Sequence, residues 1–125
     1  MGEGMGGFVS IAKTSDLLPG TMKKVTVMGQ SLLLARDGDR YYCTDASCPH
    51  LSGDLSKGAL AGRIVTCPLH HSRFDLADGH VVRWTDLTGI RLTVATNQRP
   101  PQPLVTRRLK IEGEDILVFL QGPQE

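Results

Sequence analysis

Four side chains able to hold a metal fall on two short motifs, Cys48-Pro49-His50 and Cys67-Pro68-Leu69-His70, with sixteen residues between them. Each motif supplies one sulfur and one nitrogen. Thiolates are soft anionic donors suited to iron–sulfur clusters, whereas neutral imidazole suits iron and zinc alike. Zinc fingers usually pair Cys with Cys and His with His inside each motif, so this spacing is an uncommon zinc pattern. A two-iron [2Fe–2S] cluster accommodates the mixture if each motif gives its Cys to one iron and its His to the other. From the donors alone, a zinc-stapled structural module remains open, and so does His71 as a competitor of His70.

The flanking residues narrow the choice. From Cys48 to Val82 the chain resembles the Rieske ferredoxins: the CPH motif, a Gly-containing arm, CPLH, then Ser72-Arg73-Phe74-Asp75 and an Asp78-Gly79 turn. The resemblance implies that Cys48 and Cys67 bind an inner iron and that His50 and His70 bind an outer, solvent-facing one. It favours His70 over His71, because the family spacing is C-x-x-H. Pro100-Pro101-Gln102-Pro103 resembles the family's proline loop, which covers the cluster from a third side. Two neutral nitrogens in place of two anionic sulfurs leave such a cluster less negative, and potentials of roughly −150 to +300 mV follow, against about −400 mV for plant-type ferredoxins.

The chain departs from the family at informative places. His71 stands where the family usually has Gly. Gly53 and Leu69 stand where high-potential, respiratory-type members carry a loop-bridging pair of cysteines, so that disulfide is not expected. Those members also use a Ser and a Tyr hydroxyl as donors to cluster sulfurs. Here Ser72 is kept and is counted as cofactor-binding, while Phe74 occupies the aromatic position. Fewer hydrogen bonds to sulfur stabilise the reduced state less, so a potential in the lower part of the range is expected.

The function implied by the resemblance is one-electron transfer, from a flavin-dependent reductase to a redox acceptor protein such as a terminal oxygenase. His50 and His70 would be the port. An alternative is the small subunit of a nitrite-reductase-like or oxygenase complex. A chain of 125 residues has no room for a mononuclear-iron catalytic domain beside this unit, so no catalytic residue is expected.

Composition agrees with one ordinary globular domain over residues 1–125, at 40% hydrophobic and 22% charged residues. A formal net charge of +1 gives no reason to expect nucleic acid or an anionic membrane as partner. Lys23-Lys24 and Arg107-Arg108 read as solvated strand residues. The longest apolar runs are too short to span a bilayer, and Met1 to Gly7 lacks signal-peptide features and a twin arginine, so a cytoplasmic location is expected. Cys43 has no disulfide partner and reads as a small buried hydrophobe. Tyr41, Tyr42 and Trp84 read as packing residues and His80 as a surface histidine.

The elements that must position the ligands read as short strands between turn signals. Phe8–Ala12 is followed by a loop or one helical turn capped by Ser15. Met22–Val27 and Ser31–Arg36 form a hairpin across residues 28–30, and Asp37-Gly38 turns into Arg40–Thr44. A first cluster loop runs from Asp45 to Gly62. Arg63–Thr66 delivers the second motif, and Arg73–Leu76 pairs with His80–Arg83. Val105–Glu112 and Ile116–Leu120 close the sheet, with an extra strand at Arg91–Val94 inside the long connection from Trp84 to Pro103. The expected fold is all-β, a small antiparallel sandwich or barrel-like Rieske fold, with an inserted cluster-binding subdomain at about residues 45–83.

Overall fold

Alternating apolar and polar residues bounded by turn formers become eleven strands in the computed structural model, which describes residues 6–49, 53–69, 71–84 and 101–121. In chain order these are β1 (Gly6–Lys13), β2 (Met22–Val27), β3 (Gln30–Asp37), β4 (Arg40–Asp45), β5 (Ala59–Ala61) and β6 (Ile64–Thr66). They continue with β7 (Arg73–Asp75), β8 (Val81–Arg83), β9 (Thr106–Arg107), β10 (Leu109–Glu112) and β11 (Asp115–Gln121). Among the described residues the helical pieces are two single 3-10 turns, Thr14–Asp16 and Leu55–Lys57. None of these described residues forms a helix long and apolar enough to cross a membrane.

Among the described residues all pairing is antiparallel, in three sheets ordered β1–β11–β10, β2–β3–β4–β9 and β5–β6–β7–β8. The expected all-β antiparallel class is therefore observed. Strand β3 is central to both halves, because Leu32, Leu33, Leu34 and Ala35 are all buried. Side chains alternate across a strand, so this run feeds two cores. Leu32 and Leu34 join Cys43, Ile116, Val118 and Leu120 between the first two sheets. Leu33 and Ala35 join Cys48, Cys67, Val65, Phe74 and Trp84 on the opposite face. A continuous apolar run marks a strand buried on both sides.

The β2–β3 hairpin closes tightly, with Val27 opposite Gln30 and Met28-Gly29 as the two turn residues. Both have positive φ, 51° and 78°. That backbone matches the twist of the flanking strands but suits Asn or Gly better than Met at the first position.

Several boundaries differ from the sequence expectation. β1 runs two residues earlier and one later than Phe8–Ala12, because it pairs along β11 with a bulge between Ser10 and Ala12. The turn after it is held by the Asp16 carboxylate accepting from the Lys13 amide at 2.9 Å, so Lys13 rather than Ser15 sits at the cap position. The loop expected from Asp45 to Gly62 contains a 3-10 turn and β5, which pairs with β6 across Gly62. Val105–Glu112 is not one strand. β9 pairs with β4, and β10 leaves for β11 after Arg108. Arg91–Val94 and Pro100 lie outside the described residues.

Candidate metal centre

Cys48 emerges just after β4 in a short loop clamped at its base. Leu55 N donates to Ala46 O at 2.9 Å, Ser47 bridges Asp54, and Cys48 N donates to Gly53 O at 2.8 Å. Asp54 also caps the following 3-10 turn, accepting from Ser56 N at 3.0 Å and Ser56 Oγ at 2.6 Å, while Lys24 Nζ of β2 reaches it at 2.9 Å. These bonds hold the Asp54 carboxyl down at about 2, the serine hydrogen bond contributing most and the lysine next. The first ligand loop is thereby tied to the sandwich. Arg107 does similar work beside it, with Nε and Nη2 both on Asp45 Oδ1 at 2.9 and 2.7 Å.

Cys67 emerges after β6 in a second loop, which returns into β7. Its amide donates to Ser72 O at 2.8 Å, and His71 N donates back to Cys67 O at 3.1 Å. His71 adopts φ of 60°, the left-handed region that glycine enters freely and other residues enter at a cost. This explains why a Gly is usual there in the family the sequence resembles. The loop is fastened to the end of β8 by two adjacent residues. Arg83 Nε and Nη2 donate to His71 O at 3.2 and 3.0 Å, and Ser72 Oγ donates to Trp84 O. A hydroxyl has one proton, so this bond competes with the donation from Ser72 to a cluster sulfur expected from sequence. Phe74 is fully buried, its ring edge-on to Trp84 at 6.3 Å, which makes both packing residues.

The two loops meet. A Cβ built on Gly53 would lie 2.7 Å from Cys67 Sγ, and one on Gly58 would lie 1.9 Å from Thr66 O. The glycines of the first loop are there for close approach, so that the Cys67 sulfur sits against the backbone that closes the Cys48 turn. Cys48 and Cys67 are 1% and 2% exposed and share one apolar core, while Leu69 between Cys67 and His70 is 54% exposed. The structure thus brings the two cysteine loops together, buried at their bases and open at the second loop's tip. His50 and His70 lie outside the described residues. Two buried cysteines that share one apolar core, each two or three residues before a histidine, fit the sulfur side of a [2Fe–2S] cluster.

The other candidates fall elsewhere. Cys43 is buried in the opposite core, and burial pushes its thiol up to about 12, so it is an inert packing group. None of the three cysteines is in a disulfide. His71 and His80 are exposed. Asp75, Asp78 and His80 bring ligand-type atoms within 4.8 Å of one another, a grouping that sequence reading did not single out. Their bonds are those of a tight turn: Asp75 takes Arg63 Nε and Ala77 N, each at 2.9 Å, and Asp78 takes His80 N at 3.0 Å. Sequence reading also missed Arg83, Asp54 and the Trp84 carbonyl, whose partners lie up to thirty residues away.

Comparison with known proteins agrees with this geometry. The Rieske [2Fe-2S] domain family matches residues 7–96. The ferredoxin component of biphenyl 2,3-dioxygenase from Rhodococcus jostii is 30% identical over 112 residues, spanning 90% of this chain and 92% of the relative. The ferredoxin component of the naphthalene 1,2-dioxygenase system of Pseudomonas putida is 40% identical over 72 residues, 58% of this chain and 69% of the relative. Among solved structures, the ferredoxin of carbazole 1,9a-dioxygenase from Nocardioides aromaticivorans superposes with a TM-score of 0.73 at 25% identity, covering 94% of this chain and 98% of that one. The zinc-module alternative is thereby set aside, and the chain belongs to the Rieske [2Fe-2S] domain family, as an electron-transfer protein that carries a [2Fe–2S] cluster rather than a catalytic component.

Proposed function

We propose that this chain shuttles single electrons to a terminal oxygenase, with Cys48 and Cys67 holding the inner iron and His50 and His70 the outer one. The chain is one Rieske unit in this reading, and its cluster-binding part occupies about residues 45–83. The observation that supports the ligand assignment is that Cys48 and Cys67, from separate motifs, are both buried in one apolar core, with Gly53 of the first loop seated against Cys67 Sγ. The bound cluster supplies a reversible one-electron couple. The protein supplies an apolar core beside the two cysteines from Leu55, Val65, Phe74 and Trp84, and exposed residues Pro68 and Leu69 for a partner to approach. The relatives named above are ferredoxin components of dioxygenase systems, which supports an oxygenase as acceptor. A flavin-dependent reductase is the proposed donor.

Phe74 brings no hydroxyl to the pocket and the Ser72 hydroxyl is engaged by Trp84, so the potential belongs in the lower part of the Rieske range, below about 0 mV. The test is stopped-flow mixing of the dithionite-reduced protein with an oxidised aromatic-ring dioxygenase. Rapid one-electron reoxidation that saturates with oxygenase concentration supports the acceptor. Reoxidation no faster than with an unrelated oxidised protein overturns it. Potentiometry well above 0 mV overturns the account of the sulfur environment.

A further inference from the structure

The second ligand loop carries a backbone cost that its neighbours must cover. His71 directly follows His70 and holds φ of 60° with a side chain attached, a left-handed conformation that glycine enters freely and other residues enter only at a cost. Its amide is already used to close the turn on Cys67 O at 3.1 Å. Its carbonyl, on the other side of the same residue, is gripped by two arms of the Arg83 guanidinium at 3.2 and 3.0 Å.

Arg83 is an unfavourable choice for that strand position on other grounds. It lies on β8, the edge strand of its sheet, and its Cα partner across the pair is Arg73. Like charges directly opposite one another on a sheet are destabilising. A β-branched apolar residue would suit the strand better. What arginine alone offers is a planar fork of donors that can take one carbonyl oxygen with two N–H groups. The neighbouring residues repeat the pattern, with Ser72 Oγ bonded to Trp84 O, so two consecutive loop residues are fastened to two consecutive residues at the end of β8.

We infer that Arg83 is a positioning residue for the cluster: by holding the His71 carbonyl it fixes the backbone that leaves His70, and it compensates the absence of glycine at position 71. This rests on the proposed ligand set. The chemistry at the irons is unchanged; what Arg83 controls is how uniformly the second histidine motif is presented to them.

The experiment uses the holo protein with Arg83→Gln, Arg83→Lys and His71→Gly, singly and combined. Readouts are the reduced-state EPR line shape, the rate at which a chelator bleaches the visible absorbance, and thermal melting. Removing a charge-assisted fork should speed bleaching by about tenfold and broaden or shift the EPR features. Lysine, with charge but no fork, should recover only part of the loss. In the His71→Gly background the Arg83→Gln effect should shrink to about twofold or less, since glycine holds φ of 60° unaided. A lower melting temperature with unchanged EPR and bleaching would overturn the inference, as would an equal Arg83→Gln effect in both backgrounds. If the wild type binds no iron, the ligand assignment fails separately. Amide exchange at residues 71 and 72 then decides: selective acceleration in Arg83→Gln retains the clamp, and no change removes it.

Discussion

Three cysteines are equally buried in this molecule, one within a strand and two on the loops of the proposed metal site. Cys43 sits within β4, paired with Leu34 and Arg107, and is buried in the core between the β1–β11–β10 and β2–β3–β4–β9 sheets. Cys48 and Cys67 sit just past the ends of β4 and β6, on loops whose amides are spent on closing turns at 2.8 Å. Burial alone therefore does not make a ligand. The difference lies in the backbone: a strand cysteine is enclosed by ladder neighbours, whereas two loop cysteines can be brought to one point from separate segments. The contrast extends to glycine. At Gly113, in the β10–β11 turn, an added Cβ would meet open space, while at Gly53 it would meet the Cys67 sulfur.

The largest effect should come from the thiols themselves. Cys48→Ser or Cys67→Ser should abolish the visible absorbance and the bound iron. Cys43→Ala should keep both and lower stability by about 1 kcal/mol, the scale of a small cavity, measured by iron content and thermal melting. Full iron in either loop variant would break the comparison.

Next come the glycines. Gly53→Ala should lose most of its cluster and about 2–3 kcal/mol, because the neighbouring sulfur and Leu69 must be displaced. Gly113→Ala, strained only by its φ of 60°, should cost about 1 kcal/mol and retain all its iron. Equal iron loss in the two variants would show that general instability, rather than a crowded sulfur, empties the site.

A smaller effect is expected at the tether. The Asp54 carboxyl is held at about 2 against an ordinary 3.8. A depressed carboxylate contributes stability that is fully present above its ordinary value and fades as pH falls toward the folded value. The melting difference between wild type and Asp54→Asn should therefore be constant above about pH 4.5 and shrink below about pH 4. A difference that grows in acid would reverse the sign of the argument. Smallest of all, Met28→Asn in the β2–β3 turn should raise stability by about 0.5–1 kcal/mol and leave the visible spectrum untouched, since Met28 lies in a turn outside both ligand loops.

The strands of the sandwich were legible because their residues carry the pattern locally: Met22–Val27 and the run through Leu32–Ala35 are apolar, β-prone and bounded by turns. The four metal-ligand candidates were legible through spacing. β5 was not, because Ala59-Leu60-Ala61 has little strand preference and becomes a strand by pairing with Ile64–Thr66. The break between β9 and β10 was not, because Thr106–Glu112 has no local signal for changing sheets. Position 71 shows the limit best. The missing glycine is visible in sequence, but Arg83, which answers it from twelve residues away, is visible only in three dimensions.

Asymmetric ligation is most directly tested by pulsed EPR of the reduced protein, read for nitrogen coupled to the iron spin. Two strongly coupled imidazole nitrogens, with one lost in His50→Ala and the other in His70→Ala, are the predicted result. A signal without directly bound nitrogen, or one that survives in His70→Ala and vanishes in His71→Ala, would contradict the assignment.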